Sequence, residues 1–330
     1  MRTWARYSVL CAIATLLLAS VPLASGQGTV HVNNVPPTIS ASSIYDDTHT
    51  TNVDNTMIDP ASGGTVKEYE VTITIGDDNT LYDIKNVTVY VYDDNAVTGH
   101  GFTNGTYNEV GSYGFAWVNA TGSISWKELT AGGWSGTLGQ LDSPHCSYPD
   151  LTGSSGDWVF EFAMSKVSRR TATAGGWKVQ IYVYDDADAE AADNTLQFGI
   201  NFYHEETVVS AVTWSAATLG GVNQTANANP YAFTVTANAP FKIQIKSLVA
   251  QLTGTHGQTP FDIGNVTIDN DDNVVGECNM AHLSTSWQDF DINTLGTAKT
   301  NGSYWFITIP SVTRDDTYTF NFASQVLINE

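Results

Sequence analysis

The segment Val87–Asp94 has the sequence Val-Thr-Val-Tyr-Val-Tyr-Asp-Asp, and Val179–Asp186 repeats it as Val-Gln-Ile-Tyr-Val-Tyr-Asp-Asp. In both segments β-branched residues alternate with aromatic or polar residues until an acidic pair ends the run. Alternation with a period of two residues is typical of a β-strand that buries one face in a core. The two segments therefore predict strands in equivalent places of one β-sandwich.

Similar alternation on both sides of these segments predicts an all-β chain. Lys67–Ile75 places Tyr69, Val71, Ile73 and Ile75 on one face. Glu205-Glu206 predicts a hinge, after which further short apolar runs and turn clusters predict a second antiparallel sandwich. These runs are Val208–Trp214, Tyr231–Ala237, Phe241–Val249, Ile263–Ile268, Ser303–Ile309 and Thr317–Ile328. The expected organisation is a leader over 1–26, a strand and linker over 27–37, and sandwiches over 38–205 and 206–330.

The N-terminus has the pattern of a secretory signal peptide. Arg2 and Arg6 precede the apolar run Val9–Leu18, and the small residues Ala24-Ser25-Gly26 suit a signal peptidase. The sequence therefore predicts a secreted protein that stays at the cell surface, if at all, by non-covalent contacts.

The net charge limits the partners. The chain carries 34 acidic and 13 basic residues, a formal charge of −21. Such a surface repels nucleic acids and anionic membranes, so these are excluded as partners. It also repels copies of itself, and any assembly needs counter-ions. Hydrophobic residues amount to 42%, which excludes a disordered chain despite the high net charge.

Five short stretches of the first sandwich form a familiar pattern: Pro36–Ile39, Gly64–Val66, Asp83–Val87, Asp157–Phe160 and Gly176–Val179. In these stretches the chain resembles the immunoglobulin-like domains of secreted surface proteins of archaea and some bacteria. The resemblance implies tandem Ig-like sandwiches and a role in a surface layer, filament or adhesin. It supplies no catalytic residue, and the long segment before Asp157 departs from the compact pattern.

Acidic turns at strand ends are candidate Ca²⁺ sites, because Ca²⁺ takes about six to eight hard oxygen ligands from flexible loops. Asp and Asn also simply form turns and protect strand ends, and this alternative stays open. Smaller acidic turns include Asp77-Asp78-Asn79. The candidate ligands are Asp185, Asp186, Asp188, Glu190, Asp269, Asp271, Asp272, Asp93 and Asp94.

Asparagine and cysteine residues suggest modifications of an exported chain. Sequons at Asn86, Asn104, Asn119, Asn223, Asn265 and Asn301 predict N-glycosylation. Cys146 and Cys278 predict a disulfide. A zinc site that combines them with His145 and His282 is the alternative.

The segment Gly28–Val35 alternates like a strand and precedes Pro36-Pro37, a stiff linker. Such a strand can pair with a sheet edge of a neighbouring copy, which builds a filament when repeated head to tail. Alternatively, it is the first strand of its own domain.

We therefore expect a non-catalytic extracellular structural protein that assembles with copies of itself or other surface proteins, stabilised by Ca²⁺ and glycans. The seven histidines are scattered, and neither HExxH nor GxSxG occurs. A carbohydrate-binding adhesin that uses Trp117, Trp126, Trp134 and Tyr148 is the first alternative. A secreted hydrolase with Asp142 and Asp150, or Glu205 and Glu206, is the second.

Overall fold

The ordered secondary structure consists of β-strands, which confirms the all-β prediction. The computed structural model describes residues 33–95, 108–129, 141–208, 211–270, 281–311 and 316–329. Within these ranges the helical elements are two 3-10 turns, Leu81–Asp83 and Ile263–Asn265. No helix among the described residues is long and apolar enough to cross a membrane. The expected signal peptide and most of the segment Gly28–Val35 lie outside the described residues.

Twelve strands form the first half of the described chain. They are β1 (Thr38–Tyr45), β2 (Met57–Ile58), β3 (Ala61–Ser62), β4 (Thr65–Val66), β5 (Glu68–Gly76), β6 (Ile84–Asp93), β7 (Ser112–Ala120), β8 (Ser123–Glu128), β9 (Ser155–Ala163), β10 (Trp177–Asp185), β11 (Glu190–Asp193) and β12 (Gln197–Ile200). One sheet has the order β1-β5-β9, and the other has the order β2-β12-β10-β6-β7-β8 with β11 on β10. The short strands β3 and β4 pair with each other.

The two repeated segments are neighbours in the larger sheet. β6 and β10 pair antiparallel, with Val91 opposite Val179 and Val87 opposite Val183. Their valines face the core, as the alternation predicts, but Tyr90 on the other face is also buried. The reason is that β6 is a central strand between β10 and β7, and Tyr182 of β10 packs edge-on against Tyr90 at 6.0 Å. Alternation thus identified the strand but not the burial of its outer face.

Aromatic residues join the two sheets into one hydrophobic core. Phe115 of β7 contacts Phe162 of β9 with ring centroids 4.9 Å apart, and Trp117 meets Trp158 at 5.5 Å. These side chains are fully buried. Aromatic pairs of this kind contribute beyond the area that they bury.

Twelve further strands form the second half. They are β13 (His204–Thr207), β14 (Gln224–Thr225), β15 (Tyr231–Ala237), β16 (Phe241–Ser247), β17 (Gln251–Gly254), β18 (Phe261–Asp262), β19 (Val266–Asp269), β20 (Ala281–His282), β21 (Gln288–Asn293), β22 (Gly296–Ile307), β23 (Tyr318–Thr319) and β24 (Phe322–Ile328). The sheets have the orders β13-β15-β22-β19-β20, with β14 on β22, then β21-β16-β24 and β18-β17-β23. A second core gathers side chains from these sheets, Phe233, Phe241 and Trp305 among them.

The segment Glu205-Glu206, for which the sequence predicts a hinge, is part of a strand. Glu205 and Glu206 lie within β13 and pair with Thr236 and Val235 of β15. Glu205 also forms an ion pair with Lys166, with Oε2 2.9 Å from Nζ. Both interactions fix the backbone at the place where a hinge needs freedom. The strand expected at Val208–Trp214 is absent from its described residues, which are irregular.

Substitution of a residue in the first core tests this packing. Phe160→Ala removes a fully buried ring that meets Trp126 at 5.0 Å, so we expect the free energy of unfolding to fall by about 3–5 kcal/mol. Tyr82→Ala is the matched control, since Tyr82 is 63% exposed, and should change it by less than about 0.5 kcal/mol. Urea denaturation measures both, and equal losses in the two variants would contradict the assigned core.

Candidate functional site

Two of the acidic turns meet at one end of the first sandwich. Asp77 follows β5, Asp83 precedes β6, and Asp185 ends β10. The backbone N–H of Asp186 donates to the carbonyl of Asp83 at 2.8 Å, which holds the turn after β10 against the start of β6. The sequence proposed Asp185 and Asp186 as ligands but missed Asp83, because their proximity depends on strand pairing. We call Asp77, Asp83, Asp185 and Asp186 the acidic cluster.

The acidic cluster contains buried carboxylate oxygens that lack hydrogen bonds. Asp77 is 3% exposed; its Oδ1 accepts the N–H of Asn79 at 2.7 Å, and its Oδ2 has no hydrogen-bond partner among the described residues. The same holds for Oδ1 of Asp83. An unsatisfied buried acceptor costs about 1–3 kcal/mol, and more if it is charged. A cation that accepts oxygen ligands would remove this cost.

The electrostatics of the cluster also favour a cation. Burial, above all, raises the pKa of Asp77, and the negative charge of Asp185 raises it further. Burial likewise raises the pKa of Asp83, with contributions from Asp77, Asp185 and Asp186. The four carboxyl groups therefore lie within electrostatic reach of one another. Asp77, Asp83, Asp185 and Asp186 are the residues that Ca²⁺ would use at this end of the sheet, because Ca²⁺ suits hard oxygens of this kind. Among these four described residues, no three bring their ligand atoms within 4.8 Å of one another, so the side chains would have to move together to share an ion.

The ligands predicted at the end of β10 have contacts within the protein. Asp185 itself uses Oδ1 to accept the N–H groups of Ala187 and Ala189 at 2.9 and 2.8 Å. Asp188 forms an exposed ion pair with Lys85 at 2.6 Å. Glu190 is hydrogen-bonded to the hydroxyl of Tyr184. The structure thus does not bring Asp188 and Glu190 into the acidic cluster.

The remaining predicted calcium ligands lie elsewhere. Asp93 is fully buried at the opposite end of β6, with its Oδ2 3.5 Å from Nε of Arg169. The backbone N–H of Asp94 donates to Gly176 at 2.9 Å. Asp269 ends β19, and its Oδ1 accepts the N–H of Asn270 at 2.8 Å. Asp271 and Asp272 lie outside the described residues.

A groove of about 980 Å³ opens into the second core. Leu252, Phe261 and Ile307 belong to that core and also line the groove. The rest of the lining comes from the segments 212–219 and 316–320 and from His256 and Ile309. Trp214 and Phe320 face each other there, with ring centroids 6.4 Å apart. The groove thus reaches buried core side chains and leaves Leu219 exposed and Trp214 and Phe320 half-buried at its rim. No pattern in the sequence predicted it.

Three of the six sequons use the nitrogen that would carry a glycan. The Nδ2 group of Asn119 donates to the backbone carbonyl of Tyr82, and that of Asn265 donates to the backbone carbonyl of Asp262. The Nδ2 group of Asn301 donates to the carboxylate of Asp291. Asn119 and Asn301 are also buried. Asn86 and Asn223 are half-buried and accept hydrogen bonds through Oδ1 from Thr88 and Thr308. Asn104 lies outside the described residues, and glycosylation stays a prediction.

Cys146 is a thiol in the structure. Its Sγ accepts the N–H of Glu161 at 3.3 Å and lies 3.7 Å from the carbonyl of the same residue. Cys278 lies outside the described residues, so its pairing stays a prediction. His282, the fourth residue of the zinc alternative, donates through Nδ1 to the carbonyl of Gly264 at 2.7 Å.

Residues of the enzyme and adhesin alternatives have other contacts. Asp150 accepts the N–H of Thr152 at 3.0 Å, and Glu205 pairs with Lys166. Trp117 is fully buried in the first core, and Tyr148 packs against it at 5.7 Å with 42% of its surface exposed. Trp126 packs on Phe160. Trp134 lies outside the described residues.

Calcium should stabilise the protein through the acidic cluster. At a hundredfold excess of Ca²⁺ over its Kd, we expect the free energy of unfolding to rise by about 2.7 kcal/mol. Asp77→Asn keeps the size of the side chain but removes its charge, so most of this gain should be lost. Asp188→Asn, which breaks only the exposed ion pair with Lys85, is the control and should keep it. Thermal melting with calcium and with a chelator measures the difference, and equal gains in both variants would reject the cluster as the site.

Without a cation, the acidic cluster should make stability depend on pH. The pKa of Asp77 is raised in the folded state above its usual value of 3.8, so the folded protein binds this proton more tightly than the unfolded chain. The resulting stabilisation is full below the unfolded pKa and is lost as pH rises through the folded pKa. Melting in a chelator from about pH 4 to about pH 8 should show a smaller loss for Asp77→Asn than for the wild type. Burial raises the pKa of Glu128 to about 7, and its contribution cancels because it is the same in both proteins. Identical pH profiles of the two proteins would contradict the burial of an ionised Asp77.

Comparison with known proteins adds no relative from which a role could be transferred. No protein-family model matches the chain, and the search of curated proteins finds no match. The resemblance to Ig-like surface domains therefore stays a prediction.

Proposed function

We propose that this chain is a non-catalytic extracellular structural protein that builds part of a surface layer, filament or matrix through contacts between β-sandwiches. The observation that carries the proposal is the groove into the second core. The groove leaves Leu219 exposed and Trp214 and Phe320 half-buried, and an assembling subunit covers such apolar side chains with a neighbour. Ca²⁺ and glycans stabilise the assembly.

The occupant that suits the groove is the first part of the segment Gly28–Val35 of a second copy, since Val35 itself is hydrogen-bonded to Asn79 of its own fold. Its alternation puts Val30 and Val32 on one face, which can pack against apolar side chains such as Leu219 and Phe320. The segment contains no acidic residue, although the chain has 34. His256 and Asp316 line the groove together with its apolar side chains, so a segment without carboxylates can enter it without adding a second buried acid, which would be costly.

One sheet in this half of the chain has an edge that is open to an added strand. Among the described strands β24 pairs only with β16, so one edge of this sheet has no strand partner. Tyr318 and Phe320, which lead into β24, line the groove. An extended peptide that joins such an edge gains main-chain hydrogen bonds as well as pockets for alternate side chains. Because donor and acceptor differ, the contact propagates head to tail.

The topology of the first sandwich supports an Ig-like assignment. The orders β1-β5-β9 and β12-β10-β6-β7-β8 correspond to the strand orders A-B-E and G-F-C-C′-C″ of variable-type Ig domains. Such sandwiches serve as rigid modules in many extracellular proteins, and fold alone does not assign a function.

The charge of the chain explains why cations belong to the proposal. At −21, two copies repel each other, and the repulsion is strongest where carboxylates crowd at strand ends. Ca²⁺ at the acidic cluster lowers this charge and satisfies the orphaned oxygens of Asp77 and Asp83. Assembly is then coupled to the ion without any new protein contact.

Electron microscopy and sedimentation of the secreted protein test the proposal. With Ca²⁺, the wild type should form ordered assemblies that a chelator dissolves. Leu219→Asp places a charge in the groove at a residue that is 54% exposed, so it should abolish assembly and leave the melting temperature within about 2 °C of the wild type. Val32→Asp should do the same from the donor side.

Val222→Asp is the matched control, because Val222 is 70% exposed and does not line the groove. It should assemble like the wild type. A wild type that stays monomeric with Ca²⁺, or a Leu219→Asp variant that assembles like the wild type, would contradict the proposal. If Val32→Asp lowers the melting temperature of a monomer, the segment is a strand of its own domain instead.

A further inference from the structure

A second cluster of titratable residues lies on the outer face of the β1-β5-β9 sheet. The loop that contains Asp142 and His145 runs along β9: the N–H of Asp142 donates to the carbonyl of Glu161 at 2.8 Å, and Ser147 bridges to Val159. The N–H of His145 donates to the carbonyl of Asp142 at 3.0 Å, which closes one turn and puts both side chains on the same side.

The ligand atoms of three residues converge there. One side-chain nitrogen or oxygen each from Asp142, His145 and Glu161 lies within 4.8 Å of the others. Nδ1 of His145 is 2.8 Å from Oδ2 of Asp142. Glu161 is buried, whereas His145 is exposed. The cluster is therefore anchored in the sheet and open to solvent on one side.

Negative charge exceeds positive charge around Glu161. Its strand partner in the register is Glu70, so two carboxylates stand directly opposite each other, a destabilising arrangement. His49 lies beside both, with Nδ1 2.7 Å from Glu70 and Nε2 3.6 Å from Glu161. Burial raises the pKa of Glu161, while His49 and His145 lower it. Two imidazoles thus face at least three carboxylates, and a divalent ion would balance the charge.

The donor set selects the class of ion. Imidazole nitrogen with carboxylate oxygen suits borderline ions such as Zn²⁺, while Ca²⁺ and Mg²⁺ prefer oxygen alone. The neighbouring thiol of Cys146 is hydrogen-bonded to the backbone of Glu161 and is not needed. We propose that Asp142, His145 and Glu161 form a binding site for a divalent transition-metal ion, Zn²⁺ in particular, with His49 orienting Glu161.

The bound ion would replace the proton between His145 and Asp142 and would fasten the loop 141–147 to β9. Water or a group from a neighbouring molecule completes the coordination on the exposed side. This inference does not depend on the proposed function, because a monomer can bind Zn²⁺ equally well.

Isothermal titration with ZnCl₂ and visible absorption with Co²⁺ test the site, in the presence of excess Ca²⁺ to occupy oxygen-only sites. The wild type should bind Co²⁺ with the visible absorption bands of an ion coordinated by nitrogen and oxygen. His145→Ala should weaken Zn²⁺ binding by about 100-fold or more. Asp142→Asn should weaken it as well. Because His145 is exposed and Asp142 lies in the same turn outside the core, we expect the melting temperature of each variant without metal to stay near that of the wild type.

His256→Ala is the matched control. His256 is also exposed and also contacts one carboxylate, Asp316, at 2.7 Å, but without the second and third carboxylates. It should bind Zn²⁺ like the wild type. Absence of Zn²⁺ binding by the wild type, or equal binding by His145→Ala and the wild type, would overturn the proposal and show that these residues form ion pairs only.

Discussion

The antiparallel pairing of β6 with β10 is the constraint on which the rest of the first sandwich depends. It places the valines of both strands on one face, where aromatic residues of the opposite sheet cover them. It also puts the start of β6 beside the end of β10, so that Asp83 and Asp185 share one end of the sheet. Asp93, at the end of β6, lies beside Trp177 at the other end. One pairing therefore fixes both the core and the distribution of charge.

The sequence predicted what depends on local alternation and missed what depends on pairing. The segments Val87–Asp94 and Val179–Asp186 look equivalent, and both are strands. Their acidic residues nevertheless differ: Asp93 meets Arg169, whereas Asp185 joins Asp77 and Asp83. These partners are distant in sequence, so no spacing reveals them. The strand β13 was missed because Glu205-Glu206 resembles a solvated hinge, and only pairing with β15 makes it a strand.

The two halves of the molecule offer different chemistry. The first presents carboxylates and imidazoles at a strand end and on a sheet face, where cations relieve repulsion between like charges. The second presents apolar side chains in a groove, and an uncharged segment that fills the groove would remove them from water. In so acidic a protein these requirements are linked, because apolar surfaces can approach only after charge has been neutralised. The proposed role of metal ions and that of the groove are thus parts of one assembly problem.

One small contact gives the acidic cluster a mechanical meaning. The N–H of Val35 donates to Oδ1 of Asn79 at 3.2 Å, and Asn79 is itself held by Asp77. The next anchor is the hydroxyl of Thr38, which donates to the carbonyl of Gly76 at 3.1 Å. Tension on the N-terminal segment would therefore enter the fold beside Asp77, and an ion that rigidifies this turn would raise the force at which β1 peels from β5. Under the proposed assembly, the tensile strength of the material would follow the calcium content of the surrounding medium.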